Sequence, residues 1–343
     1  MTDNSIIKSA DIRDIPGIHI GHAQDLMAAT GCTVIICEEG AVAGVDVRGG
    51  SPSTRETDGL SPVSLRQRIH AVLLAGGSAF GLDAAAGVMQ YLEERGIGRD
   101  VQITKVPIVC GAVLFDLLCG DYTVRPDKEM GYAACQDAYD PAHRKDLTAS
   151  SSSYSSIAQG NAGAGTGATI GKTRGTEYAM KGGLGIYCLQ VGELLVGAVI
   201  AVNCVGDVYN PGTGKITAGV LNDDKETVGS SEQILLHSYA DHKDFFSGNT
   251  VIGTILTNAK LDKVQAGKVA ASGQDGIARC IRPAHSIYDG DTVFVMATGT
   301  VDAHLDAVSI LAAKAVEGAI LRAVSEAQEL YGYKAAKDLN PNT

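Results

Sequence analysis

Across 343 residues the chain sets 39 acidic against 28 basic side chains, a formal net charge of −11, with 45% hydrophobic and 20% charged residues. That balance excludes a disordered or fibrous chain, and no run of Lys and Arg supplies the electrostatic footprint of a nucleic-acid binder. No stretch approaches the ~20 apolar residues of a membrane span, and the opening MTDNSIIKSADIRD lacks a basic region followed by an apolar one, so a cytoplasmic protein acting on a small molecule or another protein is expected.

The first strand-like segment, IHIGHAQ, holds His19 and His22 at ligand-like spacing, although satisfied structural histidines are the simpler account of the pair than a metal. CTVIIC, AVAGVDV and HAVLLAG follow as β-type runs. Residues 79–95 then step Leu82, Ala85, Ala86, Met89 and Leu92 along one helical face, with Ser78 as the expected cap. QITKVPIV reads as a further strand, and the Ser-rich AYDPAHRKDLTASSSSYSSIAQ as an exposed connection or flap. GIYCLQV and LLVGAVIAVN return to β structure, and a polar segment spans residues 221–249. TVIGTILTN and DTVFVMATG are the last strands before a long helix that carries Leu305, Val308, Leu311, Ala312, Ala315, Val316, Ala319, Ile320 and Ala323 at three- and four-residue steps. Both helices bear alanine-rich stripes that permit close approach to a sheet, so sheets layered with helices are expected rather than a helical bundle.

Glycine is over-represented, 42 of 343 residues or about 12% against a usual ~7%, and clusters between the β runs as loops on the rim of a sheet would. One cluster, GAGTGATIGKT, approaches the phosphate loop of nucleotide hydrolases. Its spacing fails, because three residues separate Gly167 from Gly171 and five separate Gly165 from it, where the loop needs four. Ser78 in AGGSAFG fails the G-x-S-x-G elbow, since Phe80 stands where glycine is required. The eight cysteines form no C-x-x-C pair and several lie in apolar runs, as buried thiols of a reducing compartment would. No Ser-His-Asp or Cys-His arrangement of convincing form appears. Two features remain. A polar loop ends at Gly248-Asn249, where Thr250 opens a β-branched strand. Asp289 and Asp291 flank a glycine just before another strand; either their i, i+2 spacing turns both carboxylates toward one site, or D-G-D is simply a loop signal.

In order along the chain, TGCTVI with AVAGVDVRGGSPSTRETDGL, LLAGGSAFGLDAAAGV, VPIVCGAVLFDL, GNAGAGTGATIGK, AVNCVGDV, GNTVIGTILTNAKL and DGDTVFVMATG are similar to segments of one family. The chain resembles the self-processing N-terminal-nucleophile hydrolases of the DmpA-type aminopeptidase family, and within them the threonine-nucleophile branch that includes the nylon-oligomer hydrolases. The resemblance implies an α/β fold, a four-layer α-β-β-α sandwich of the DmpA and ornithine-acetyltransferase type. It implies one hydrolase domain over residues 1–343 that cleaves itself between Asn249 and Thr250 into a large subunit, 1–249, and a small subunit, 250–343. Thr250 is then the nucleophile, and Lys172, Asn203, Asp289 and Asp291 fall where the branch places its other catalytic residues. Also implied are a small-molecule amide or peptide as substrate, no cofactor, no metal, and a homo-oligomer of processed heterodimers. Phe115 in VLFDL stands where the branch carries an aromatic hydroxyl and cannot donate a hydrogen bond.

The implied chemistry is self-consistent. A new N-terminal threonine offers a hydroxyl and an α-amine of reference pKa about 7.7–8.0, so one residue supplies nucleophile and base near neutral pH. Lys172 would disfavour protonation of that amine, the aspartates would orient amine and hydroxyl, and Asn203 would donate to a developing oxyanion. Two carboxylates against one lysine in an acidic chain favour an amide that bears a nearby ammonium. Acyl transfer to an amine, as in the ornithine acetyltransferases, and a non-catalytic binding protein retaining the fold are the competing functions.

Overall fold

The computed structural model describes residues 6–141, 157–240 and 249–339. Residues 142–156, which hold most of the Ser-rich connection, and residues 241–248, the end of the polar segment, lie outside the described residues. Ten strands build the main sheet: Lys8–Ala10 (β1), Ile18–Asp25 (β2), Thr30–Val47 (β3), Thr54–Arg55 (β4), Arg68–Ala75 (β5), Val109–Val113 (β6), Gly183–Val191 (β7), Leu194–Asn203 (β8), Thr250–Ala259 (β9) and Thr292–Val301 (β10). Their order is β1-β7-β8-β9-β10-β3-β5-β6-β4, with β2 paired to β3. Pairing is antiparallel except for β9 with β10 and β5 with β6.

β3 ties the two halves of this sheet together. Its residues 30–37 pair with β2 and its residues 42–47 with β10, and its register against β5 shifts between Ile36 and Ala41. The two-residue alternation of each strand then sorts side chains into layers. Cys32, Val34 and Ile36 of β3, with Ala71, Leu73 and Ala75 of β5, pack against α1 (Ala84–Glu94) and α2 (Lys128–Ala138). The alternate residues Ile35, Cys37, Val72 and Leu74 instead meet Val199 and Ala201 of β8, Ile252 and Leu256 of β9, and Phe294 and Met296 of β10. On the far face of β8 to β10, Val196, Ala198, Ile200, Val251, Ile255, Val293 and Val295 pack with residues of the last two long helices. With α3 (Ser231–Ala240) preceding them in the chain, these are α4 (Lys263–Cys280) and α5 (Leu305–Ser325). Helices, sheet, sheet and helices follow one another, the four layers that the resemblance implies.

Local chemistry sets the helix positions. Asp262 accepts from the Gln265 N–H at 2.8 Å while Gln265 accepts from the Asp262 N–H at 3.0 Å, a reciprocal cap that starts α4 one residue later. α5 buries the expected stripe from Val308 onward, with Leu311, Ala312, Ala315, Val316, Ala319, Ile320 and Ala323, while Leu305 at its first position is only half-buried. A Cβ on Gly185 of β7 would lie 1.9 Å from the Ala319 carbonyl oxygen, so glycine facing small residues is what brings this helix onto its sheet.

Several expected elements differ. Ser78 does not cap a helix: it sits at φ +55, its N–H donates to Leu114 O, and a 3-10 turn, Ser78–Asp83, precedes α1. QITKVPIV is divided between a two-strand ribbon of Arg99–Asp100 with Lys105–Val106 and the start of β6, since Pro107 lacks the N–H that would continue a ladder. The glycine cluster preceding Lys172 is no rim loop either, for residues 162–173 are all buried. The eight cysteines are buried thiols without disulfides. No helix among the described residues is long and apolar enough to cross a membrane.

Candidate active site

Three strand ends meet at the residues singled out in the sequence. β8 ends at Asn203 directly opposite Thr250, which opens β9, while Asn249 bridges to Asp289 just before β10 begins at Thr292. Asn203, Asn249, Thr250, Lys172, Asp289 and Asp291 are each at most 5% exposed, so their polar atoms interact with little screening by water. The Thr250 hydroxyl lies against the carbonyl oxygen of Asn249, and that oxygen also accepts from the Gly290 main-chain N–H at 3.1 Å.

The two aspartates have separate tasks. Asp291 Oδ1 accepts from the N–H of Val251 at 2.7 Å, fixing the chain immediately after Thr250. Its Oδ2 accepts from the His285 N–H at 3.1 Å and lies 2.8 Å from His285 Nδ1. Asp289 Oδ2 accepts from the Ser286 N–H at 2.7 Å, whereas its buried Oδ1 has no partner among the described residues. Burial first, and then the neighbouring Asp291 charge, push the Asp289 carboxyl above the usual aspartate range, against the pull of the Ser286 bonds and Lys172. Asp289 therefore resists ionisation more than an exposed aspartate does.

Lys172 enters after Gly171, which turns the chain at φ +68 into the 3-10 turn Lys172–Arg174. Its Nζ donates to Asn203 Oδ1 at 3.0 Å and to the Asn203 carbonyl at 3.2 Å. Burial pushes this lysine down to about 8, with Cys204 and Asp289 pulling it back toward the charged form. Asn203 Oδ1 accepts in addition from the Thr169 N–H at 3.0 Å, and Asn203 Nδ2 donates to the Phe115 carbonyl at 2.9 Å. Phe115 thus reaches the site through its backbone. In the intact chain, the Asn249 carbonyl is met by Gly290, while the Asn203 amide is turned to Phe115.

The structure brings all the sequence-nominated residues together and adds others. The segment after β3 clamps the aspartate loop: Arg48 N–H donates to Asp291 O at 3.0 Å, Gly50 N–H to Ser286 O at 3.2 Å and Ser51 N–H to Asp289 O at 2.8 Å. Gly290, His285, Ser286 and this clamp went unnoticed in the sequence because they act through main-chain groups or through a neighbour. The RGG following one β run and the D-G-D preceding another were the visible signals, but nothing in the sequence said that the two loops touch. His22 Nδ1, by contrast, lies 3.0 Å from Thr33 Oγ1 and the His19 ring stacks on Tyr139 at 4.6 Å, an ordinary structural setting for both.

The layered fold sets a buried hydroxyl and two carboxylates around the Asn249-Thr250 peptide bond, with a buried lysine held on the neighbouring Asn203, an arrangement suited to an amide and peptide hydrolase. The chain belongs to peptidase family S58, whose model matches residues 10–337. It is 45% identical over 305 residues to an uncharacterised aminopeptidase of Mycobacterium leprae, covering 85% of this chain and 79% of that one. It is 30% identical over 298 residues to the 6-aminohexanoate-oligomer endohydrolase of Paenarthrobacter ureafaciens, covering 84% and 75%. Among solved structures, the L-aminopeptidase D-Ala-esterase/amidase of Ochrobactrum anthropi superimposes with a TM-score of 0.67 at 17% identity, covering 94% of this chain and 87% of that one, which establishes the shared fold.

Proposed function

We propose that this hydrolase matures by cutting itself between Asn249 and Thr250, into residues 1–249 and 250–343, and that Thr250 is the nucleophile of the processed enzyme. The observation that carries the proposal is the buried Thr250 hydroxyl lying against the carbonyl of its own preceding residue. After cleavage the Thr250 amine becomes the base for its own hydroxyl. Lys172 supplies nearby positive charge that disfavours protonating that amine, and Asp291 holds the strand that carries it.

For substrate we infer short linear amides with a free ammonium near the scissile bond, either amino-terminal peptide derivatives or oligomers of ω-amino acids. The acidic chain and the two aspartates support this choice, and the relatives named as an aminopeptidase and as a 6-aminohexanoate-oligomer endohydrolase span both options. Assembly of processed pairs into a homo-oligomer and a cytoplasmic place of action belong to the same proposal; the eight buried thiols suit a reducing compartment.

The test follows splitting and activity together. Denaturing electrophoresis of freshly synthesised protein, sampled alongside hydrolysis of an aminoacyl anilide, should show activity rising as the full-length band gives way to two. Thr250→Ala should remain one band and inactive. Full activity in an unsplit wild-type chain would overturn the proposal, and product formed only when an amine acceptor is added would move it to acyl transfer.

A further inference from the structure

Resting on the self-processing proposal above, we infer that the main-chain N–H of Gly290 is the oxyanion donor of the self-cleavage step. In that step the Thr250 hydroxyl oxygen bonds to the Asn249 carbonyl carbon, and the π electrons of the carbonyl move onto its oxygen. Collapse re-forms the carbonyl and breaks the bond to the Thr250 nitrogen, which takes up the proton that the hydroxyl gave up. Water then hydrolyses the resulting ester and leaves a carboxylate on Asn249 and a free hydroxyl on Thr250.

Negative charge therefore develops on one atom, the Asn249 carbonyl oxygen, and the Gly290 N–H already points at it from 3.1 Å. A fixed dipole aimed at that atom inside a buried site strengthens as charge builds and needs no reorganisation. Asn203 is the residue that the resemblance implies as oxyanion donor in the processed enzyme. Its Nδ2, however, donates to Phe115 O, and its Oδ1 is occupied by Lys172 and the Thr169 N–H.

Two features fit Gly290. The bridge between Asn249 and Asp289 sets the register that delivers the next N–H to the Asn249 carbonyl. A Cβ at position 290 would stand 2.9 Å from Thr250 Oγ1 and 2.9 Å from Ser51 O, so any larger residue would press on the hydroxyl that must attack. Glycine in D-G-D thus permits a close approach of backbone to nucleophile.

Replacing Gly290 by glycolic acid during cell-free synthesis turns its N–H into an ester oxygen and leaves the shape nearly unchanged. Self-cleavage is followed by denaturing electrophoresis, and folding by resistance to limited proteolysis. The control places the α-hydroxy analogue of serine at position 51, which removes an N–H that holds the same loop through Asp289 O without touching Asn249. The glycolate chain should fold and cleave ~100-fold or more slowly, and the position-51 chain, which loses a clamp on the same loop but keeps the Gly290 N–H, should cleave at least ~10-fold faster than the glycolate chain. Equal rates for glycolate and wild type, or equal slowing by the control, would overturn the assignment. Where the glycolate chain does not fold, amide hydrogen exchange in the uncleaved Thr250→Ala chain decides: a protected Gly290 amide upholds the donor and a freely exchanging one overturns it. A wild-type chain that never splits would remove the self-processing proposal itself, an outcome distinct from a splitting wild type with an unaffected glycolate variant.

Discussion

Lys172 and Lys181 are both buried, both pushed down to about 8 by burial, and both close to the same glycine-rich segment, yet they are surrounded by different chemistry. Lys181 Nζ donates to three main-chain carbonyls, those of Gly165 at 3.0 Å, Ala168 at 2.7 Å and Gly182 at 3.2 Å. It staples the buried glycine loop to its neighbour. Lys172 meets a side chain, Asn203, at the strand end facing Thr250, and it feels the charge of Asp289. Burial and a displaced titration are thus common to a structural lysine and a site lysine. The hydrogen-bond partner separates them: Lys181 donates to backbone carbonyls of the loop, whereas Lys172 meets the Asn203 amide side chain beside Thr250, and a neighbouring carboxylate, Asp116, is common to both.

Substituting each lysine in turn puts that contrast under the greatest load. Lys172→Met should slow self-cleavage and turnover by ~100-fold or more while leaving the fold intact. Lys181→Met should leave processing by folded molecules near the wild-type rate but lower stability by about 2–4 kcal/mol in urea titrations, because three buried carbonyls lose their donor. Loss of processing in both, or loss of stability in both, would erase the distinction.

Asp289→Asn sharpens the site side of the contrast. It should slow turnover by ~100-fold yet raise stability at pH 7 by about 1 kcal/mol, since the carboxyl is held above its usual range by burial and Asp291. The sign follows from linkage. Below the ordinary aspartate value of 3.8 both folded and unfolded chains hold the proton; above it the unfolded chain ionises first, so the wild type loses stability as pH rises. The gap between variant and wild type should therefore open between pH 3.5 and pH 7, measured by urea titration. Constant spacing across that range would contradict it.

The lysines carry the opposite trend. Each binds a proton in the unfolded chain up to its ordinary value of 10.5 but in the folded protein only to about 8, so the contribution of each to stability rises with pH through that window. The stability difference between wild type and Lys181→Met should grow by on the order of 1–3 kcal/mol between pH 8 and pH 10. A flat difference would show that Lys181 titrates normally.

The smallest expected effect concerns substrate. A matched set of amides bearing a free amine, an acetylated amine or a carboxylate should show kcat/KM highest for the free amine, by roughly 3–10-fold, with the advantage shrinking as salt is raised. A preference for the carboxylate would reverse the proposed charge logic while leaving the nucleophile untouched.

How much of this the sequence displayed depended on whether a residue acts through its side chain. Thr250 stood out only as the point where a polar segment gives way to a β run, and the aspartate pair only as a D-G-D that equally reads as a loop signal, so their roles came from the family resemblance. The β-branched runs TVIGTILTN and DTVFVMATG correctly anticipated β9 and β10, while the layering of sheets with helices was expected from the alanine-rich helix stripes and its four-layer form from the family resemblance. Lys172 and Asn203 came from family resemblance alone, since a lysine in a glycine turn and an asparagine ending a strand have no spacing that links them. Gly290 and the Arg48–Ser51 clamp act by main-chain N–H groups, whose direction is set only when β3, β9 and β10 lie side by side. Ser78 and QITKVPIV were misread for local reasons: a positive φ that serine rarely adopts, and a proline that interrupts pairing.

The claim on which the rest depends is the junction itself. Intact mass of the purified wild-type protein, with N-terminal sequencing of its smaller part, measures it directly. The proposal predicts two species, the larger ending at Asn249 and the smaller beginning Thr-Val-Ile-Gly, and a single species for Thr250→Ala. An active wild-type protein that remains one chain, or one that splits at any other bond, would contradict it.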